Sequence, residues 1–247
     1  MPVVTIARQM GAGGEEIARL VALRLGARLL DAELLELASE QTGIPLRYFE
    51  LLDERGRSMW RNPADLFRLV PLPPINPDLP DVYGDRYPPT GPVRARGDGL
   101  QSPAYWAAEA YAAALSRTIQ RVAQAGESAV VVGRGGNEAL AVMPEALNVL
   151  VVASEPQRLR RLAYERGVNV YEALDAVRDS DRRRRAFIRQ FYGADWLDAS
   201  RFDLVVRTDN VPLDAAAEIV VTAANATAAS TKVPNTPLTE AVPAHAA

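Results

Sequence analysis

Four short apolar runs set the limits on what this chain can become. Val3 to Ala7 (VVTIA), Ala129 to Val132 (AVVV), Val149 to Ala153 (VLVVA) and Phe202 to Val206 (FDLVV) are almost continuously apolar. A strand with one wet face alternates apolar and polar residues, whereas a strand covered on both faces does not. Helical patterns lie between the runs. Ile17, Leu20, Val21 and Leu25 repeat at helical spacing after the first run, and a second helix is expected from Ala104 to about Gln124. Ser154-Glu155-Pro156 reads as a helix start, because serine caps well and proline fits the first turn. A last helix is expected from Leu213 to about Thr222. Buried strands alternating with helices predict an α/β fold, a parallel sheet flanked by helices in three layers.

Composition removes several chemistries. The 247 residues carry a net charge of −3 and no cysteine, so neither a disulfide framework nor a thiolate metal site is available. The only histidine, His245, is the third residue from the C-terminal end, in a low-complexity stretch, which makes a histidine base or histidine metal centre an unfavoured expectation. No apolar run approaches the ~20 residues of a membrane span, and no secretory leader is visible at the N-terminus. A cytoplasmic protein with no membrane partner is expected.

The first run ends in Gly11-Ala12-Gly13-Gly14, and a helix follows. Strand, glycine turn and helix N-terminus make a phosphate cradle: unpaired backbone N–H groups and the positive end of the helix dipole converge there. The full phosphate-loop pattern is G-x-x-x-x-G-K-S/T. With Gly13 as its second glycine, Arg8 takes the place of the first. Gly14 takes that of the lysine and Glu15 that of the metal-binding hydroxyl. The dinucleotide pattern G-x-G-x-x-G fails at Glu16. A tight turn without a ligand is the alternative. Arg8, leaving the same strand end, is a candidate to replace the missing lysine charge.

Residues 57–105 hold 10 of the 18 prolines and little periodicity; a long irregular insertion is either functional or mobile. Residues 223–247 are expected to form a disordered tail. Between Arg158 and Arg189 stand 10 arginines against five acids, about +5 in a chain of −3. Arginine suits phosphate, because its planar fork matches the oxygens and its charge cannot be lost. The chain's one lysine is Lys232, in the tail. At 100° per residue Arg178, Arg182, Arg185 and Arg189 share one stripe, expected to be solvated. Arg184 falls among Val177, Ile188 and Phe191 on the apolar side. There it must either pair with an acid such as Asp181 or reach into a cleft. Arg134 lies just past a strand's C-terminal end, where open α/β sheets bind ligands. Asp31 either touches a ligand or caps the helix starting near Ala32. Phe187, Tyr192 and Trp196 are expected to pack rather than to stack on a base.

Taken in order, several segments resemble the cytidylate kinase-like family of phosphate-loop proteins. They are Ile6 to Ala18 (IARQMGAGGEEIA), Leu30-Asp31 with Glu33-Leu34-Leu35, and Val130 to Leu140 (VVVGRGGNEAL). Asp181-Arg182-Arg183-Arg184, Tyr192-Gly193, Trp196 and Phe202-Asp203-Leu204 complete the set. The match covers roughly residues 3–222, and the family itself lacks the phosphate-loop lysine. Two departures stand out: Glu15 replaces a usual Arg or Lys, and Gly135 stands where true cytidylate kinases carry an aspartate after Gly-Arg. The resemblance implies a P-loop domain over residues 1–222, with an acceptor-binding insertion at about 40–105 and a helical lid at about 155–195. It implies ATP and Mg2+ as cofactors, and phosphoryl transfer to a nucleoside monophosphate such as CMP. On it, Arg184, Asp181 and Arg134 are the catalytic candidates. Arg8, Gln9, Gly11, Ala12, Gly13, Gly14 and Glu15 are the nucleotide contacts, and Asp31, Arg134 and Arg158 the acceptor contacts. The lost lysine, the lost hydroxyl and Glu15 equally suit a regulatory module that binds nucleotide without turnover. A nucleic-acid partner is disfavoured by the net charge and a pI near 5.4. The sequence does not specify an oligomeric state.

Overall fold

The computed structural model of the protein describes residues 1–43, 45–52 and 103–230. Most of the expected acceptor-binding insertion and the chain beyond Ser230 lie outside these residues.

Five parallel strands form one sheet in the order β2-β3-β1-β4-β5. They are β1 (Val3–Arg8), β2 (Arg28–Leu30), β3 (Ala129–Val132), β4 (Ala146–Val152) and β5 (Leu204–Arg207). The α/β architecture therefore stands as expected. Strand β2 was not visible in the pattern: it has three residues, and only Leu30 is buried. Strand β4 starts three residues before the apolar run that announced it, because polar Asn148 is fully accommodated there. Asn148 Oδ1 accepts from Thr5 Oγ1 at 2.8 Å, and its N–H donates to Asp203 Oδ2 at 2.7 Å.

Alternation along the central strands divides the core. Val4, Ile6, Val130, Val132 and Val149 pack beneath helix α1 (Gly14–Leu25) and helix α8 (Leu213–Ser230). Val3, Ala129, Val131 and Ala146 face helix α2 (Glu33–Thr42) and helix α4 (Pro103–Gln124). Helix α3 (Leu46–Leu52) adds Phe49, which stacks obliquely on Tyr111 of α4. A four-residue helix α5 (Gly136–Ala139) follows β3. Helix α6 (Glu155–Arg166) and helix α7 (Val170–Tyr192) form an antiparallel pair across Gly167. Asn169 starts α7 with a capping box: its side chain accepts from the Glu172 N–H, and Glu172 reaches back to the Asn169 N–H. Helix α8 continues to Ser230, eight residues past the expected end, because Ala224 remains buried on its apolar side. Among the described residues no helix is long and apolar enough to cross a membrane.

The order places β1 between β3 and β4. The chain crosses from β3 over β1 to reach β4, so the C-terminal ends of β1 and β3 border a crevice of the kind in which α/β sheets bind ligands.

Candidate active site

The glycine turn leaves β1 at the centre of the sheet. Gly11 and Gly13 have φ of +76° and +82°, conformations that L side chains rarely adopt. Space is also short. A Cβ at Gly11 would stand 2.5 Å from the Arg158 carbonyl oxygen, and one at Gly14 would stand 2.4 Å from the Arg8 Cβ. The missing lysine thus has a steric counterpart: the stem of Arg8 lies where any side chain at position 14 would begin. Gly13 is the N-cap of α1 and offers no side chain to its N–H groups, so the first turn of this helix leaves its donors to an outside acceptor. Buried Ala12 sits within the turn, and its carbonyl accepts from Thr208 Oγ1 at 2.7 Å. Arg161 Nη1 donates to the Gly11 carbonyl at 2.8 Å. Gln9 is structural in this geometry. Its N–H continues the ladder to Val151 and its Oε1 accepts from the Ala153 N–H at 3.2 Å.

Asp181 ties this turn to the α6–α7 pair. Its Oδ1 accepts from the Met10 N–H at 3.2 Å, and its Oδ2 accepts from Arg158 Nη1. Arg184 Nη1 lies 3.8 Å from Oδ1. Arg158, 7% exposed, is held at the turn by Asp181, whereas the other two acceptor candidates, Arg134 and Asp31, pair with each other. Arg184 is 4% exposed, as its phase on α7 required, while Arg178, Arg182, Arg185 and Arg189 are all exposed.

Arg134 is buried too. Gly133, Arg134 and Gly135 have φ of +69°, +53° and +70°, and the Gly136 N–H closes the turn on the Gly133 carbonyl. A non-glycine residue at positive φ is uncommon and needs support. Asp31 supplies it: Arg134 Nη1 donates to the Asp31 carbonyl at 2.6 Å and to its Oδ1 at 2.9 Å. Ala32 is the N-cap of α2 and makes no side-chain cap bond, while the Asp31 carbonyl accepts from the Leu34 N–H at 3.2 Å. At Gly135 a Cβ would meet the Tyr192 ring at 2.4 Å. Tyr192 thus occupies the space that an aspartate would need at position 135.

Arg8, Arg134 and Arg184 line one narrow cleft at the ends of β1 and β3, with Gly133, Asn137, Ile188 and Trp196. Arg8 lies against Glu15, its Nη2 3.2 Å from Oε1. A second, wider cleft of about 760 Å³ runs from Gly11, Gly13 and Glu15 across to Glu165, Asp179, Arg183 and Arg184. Arg184 borders both, so the two clefts meet at one guanidinium. Trp196, set aside as packing, is buried in the core and also borders the first cleft. Thr208 and Arg161, which clamp the glycine turn, carried no motif that would have marked them.

The cytidylate kinase-like family model matches residues 3–210. The chain belongs to the cytidylate kinase-like family. A crystal structure of an uncharacterized protein from Eubacterium ventriosum superposes with a TM-score of 0.60 at 18% identity, covering 91% of this chain and 99% of that one, and so shares the fold. Shikimate kinases from Bacteroides thetaiotaomicron and Acinetobacter baumannii align over 90% and 92% of this chain and 97% and 94% of theirs. Each is 12% identical, with TM-scores of 0.43 and 0.44, too distant to carry an argument. No curated protein matches the chain. The geometry shows how this member arranges arginine around a glycine turn that has no lysine.

Proposed function

We propose that the chain transfers a phosphoryl group from ATP to a small acceptor, with a nucleoside monophosphate such as CMP as the first candidate. The supporting observation is the convergence of three buried guanidiniums, Arg8, Arg134 and Arg184, beside a glycine turn at the ends of adjacent parallel strands. Phosphoryl transfer needs little covalent help; it needs cations placed where charge spreads over the moving group. In this reading the N–H groups opening α1 hold the triphosphate and Arg134 holds the acceptor phosphate. Arg184, bordering both clefts, bridges the two. Asp181 orients Arg184 and fastens the lid helices α6 and α7 to the turn. The lid excludes water as it closes. The residues fit the nucleotide's phosphates through the uncapped helix and the glycines that bring the backbone close. Mg2+ when bound would neutralise and orient those phosphates. Glu15 and Asp181 are the carboxylates at the turn that would hold it, and among the described residues no group of three or more acidic or histidine side chains forms a metal cage.

The test is ADP release by the full chain with ATP, Mg2+ and a panel of CMP, dCMP, UMP and AMP. Turnover with one acceptor is expected to fall by about 10³-fold in Arg184→Ala, the scale of removing a transition-state cation. Arg184→Lys should recover part of it at an unchanged melting temperature. Arg8→Ala should lose ATP affinity; unchanged affinity would remove Arg8 from the phosphate site. A second reading is favoured by the Arg8–Glu15 contact: a nucleotide-binding module that does not turn over. Nucleotide binding with no ADP release from any acceptor would select it.

A further inference from the structure

One buried polar group on the first cleft is left without a role by the reading above. Trp196 is 4% exposed, and among the described residues its Nε1 has no hydrogen-bond partner. An indole N–H can only donate, and a buried donor without an acceptor costs stability. The neighbours on this cleft make the absence informative. Arg8, Arg134 and Arg184 also present only donors. Asn137 directs its Nδ2 to Glu138 Oε1 at 2.9 Å. Three guanidiniums, held by Glu15, Asp31 and Asp181, and the unpartnered indole thus border one space. The free volume there is about 20 Å³, which seats one oxygen-sized group.

We infer that Trp196 is a specificity residue: its indole N–H donates to one non-bridging oxygen of the acceptor's phosphate, beside the guanidinium of Arg134. The inference rests on the reading of this cleft as the acceptor side of a phosphotransfer site, and it deepens that reading by naming a residue that selects for the acceptor's phosphate. A phosphomonoester gives the indole N–H an acceptor; a neutral nucleoside leaves it without one and is disfavoured. Trp196 lies after Gly193, at the end of the longest lid helix, so filling the cleft also ties the lid's base to the sheet.

The experiment is a titration of the 15N-labelled full chain with inorganic phosphate, CMP and cytidine, following the indole resonance that Trp196→Phe removes. The expected result is a shift with phosphate and with CMP and none with cytidine. Trp196→Phe keeps the ring's packing and is expected to weaken CMP binding by about 10-fold or more, the usual loss for one hydrogen bond to a charged group. Two outcomes overturn the proposal. One is an indole resonance that ignores phosphate and CMP, as when a water alone fills the space. The other is a Trp196→Phe variant that binds CMP with parental affinity. Should the variant fail to fold, the parental titration decides alone. If phosphate and CMP shift the indole while no acceptor is phosphorylated, the catalytic reading falls and the oxyanion site stands. If turnover occurs and the indole stays silent, this inference falls and the catalytic reading stands.

Discussion

At the scale of single residues, the site is a balance of arginines against nearby carboxylates. Arg8 has its side chain fully buried, while its partner Glu15 is half-exposed. A buried guanidinium without a counter-charge is costly, so Glu15 stabilises the ligand-free turn. The same carboxylate opposes an incoming triphosphate. Glu15→Gln should therefore tighten ATP binding, measured calorimetrically without magnesium. The expected gain is about fivefold, corresponding to the ~1 kcal/mol of a half-exposed pair, and it should shrink as salt rises. An affinity that falls instead, and only with magnesium present, would mark Glu15 as a metal ligand. Residue-scale reasoning from the sequence went far for Arg184, whose helical phase alone required burial, and for Arg134, placed by its strand end. It stopped at Asp31 and Trp196. The Asp31 contact joins residues 103 positions apart, and the indole's missing acceptor becomes visible only when the neighbouring atoms are in place.

At the scale of elements, the turn after β3 shows how a glycine and a ring distant in sequence share one space. Gly135 keeps φ at +70° and leaves its side-chain space to the Tyr192 ring, whose hydroxyl lies 3.2 Å from Ser116 Oγ. Tyr192 closes α7, so the residue at 135 and the end of that helix are one packing unit. Gly135→Ala is expected to lower stability by about 2 kcal/mol in denaturant unfolding, combining the left-handed backbone penalty with overpacking. Tyr192→Ala alone should be destabilising through its lost packing. The double variant should be less unstable than the two single effects added together, because the clash is gone. Additive losses would show that the ring and position 135 are independent. The apolar periodicity announced the strands and the long helices because burial on both faces leaves a continuous signature. Strand β2 left none, being three residues long with only Leu30 buried. The full length of α8 was hidden by an Ala, Thr and Asn composition that resembles a tail until Ala224 is seen packed against the sheet helices.

At the scale of the whole molecule, charge is divided by direction. The segment from Arg158 to Arg189 carries about +5 and the remainder about −8, and within α7 the positive charge points two ways. Arg184 and Arg183 border the clefts. Arg178, Arg182, Arg185 and Arg189 lie on the opposite side of the helix, exposed, and among the described residues they form no ion pair. Their stripe is about 16 Å long at 1.5 Å per residue. Two consequences follow for such a stripe: a solvated helix face, or a track for a polyanion. Position decides for the first. Every guanidinium proposed to meet the nucleotide lies on the other side, and the net charge of −3 repels a long polyanion at a distance. Replacing all four with glutamine should leave the melting temperature and the affinity for ATP within the small range expected of surface changes, about 0.5 kcal/mol. Single-stranded RNA or heparin should bind neither parent nor variant at physiological salt. Binding by the parent that weakens steeply with salt and disappears in the variant would make this stripe a second functional surface, one that the acidic composition conceals.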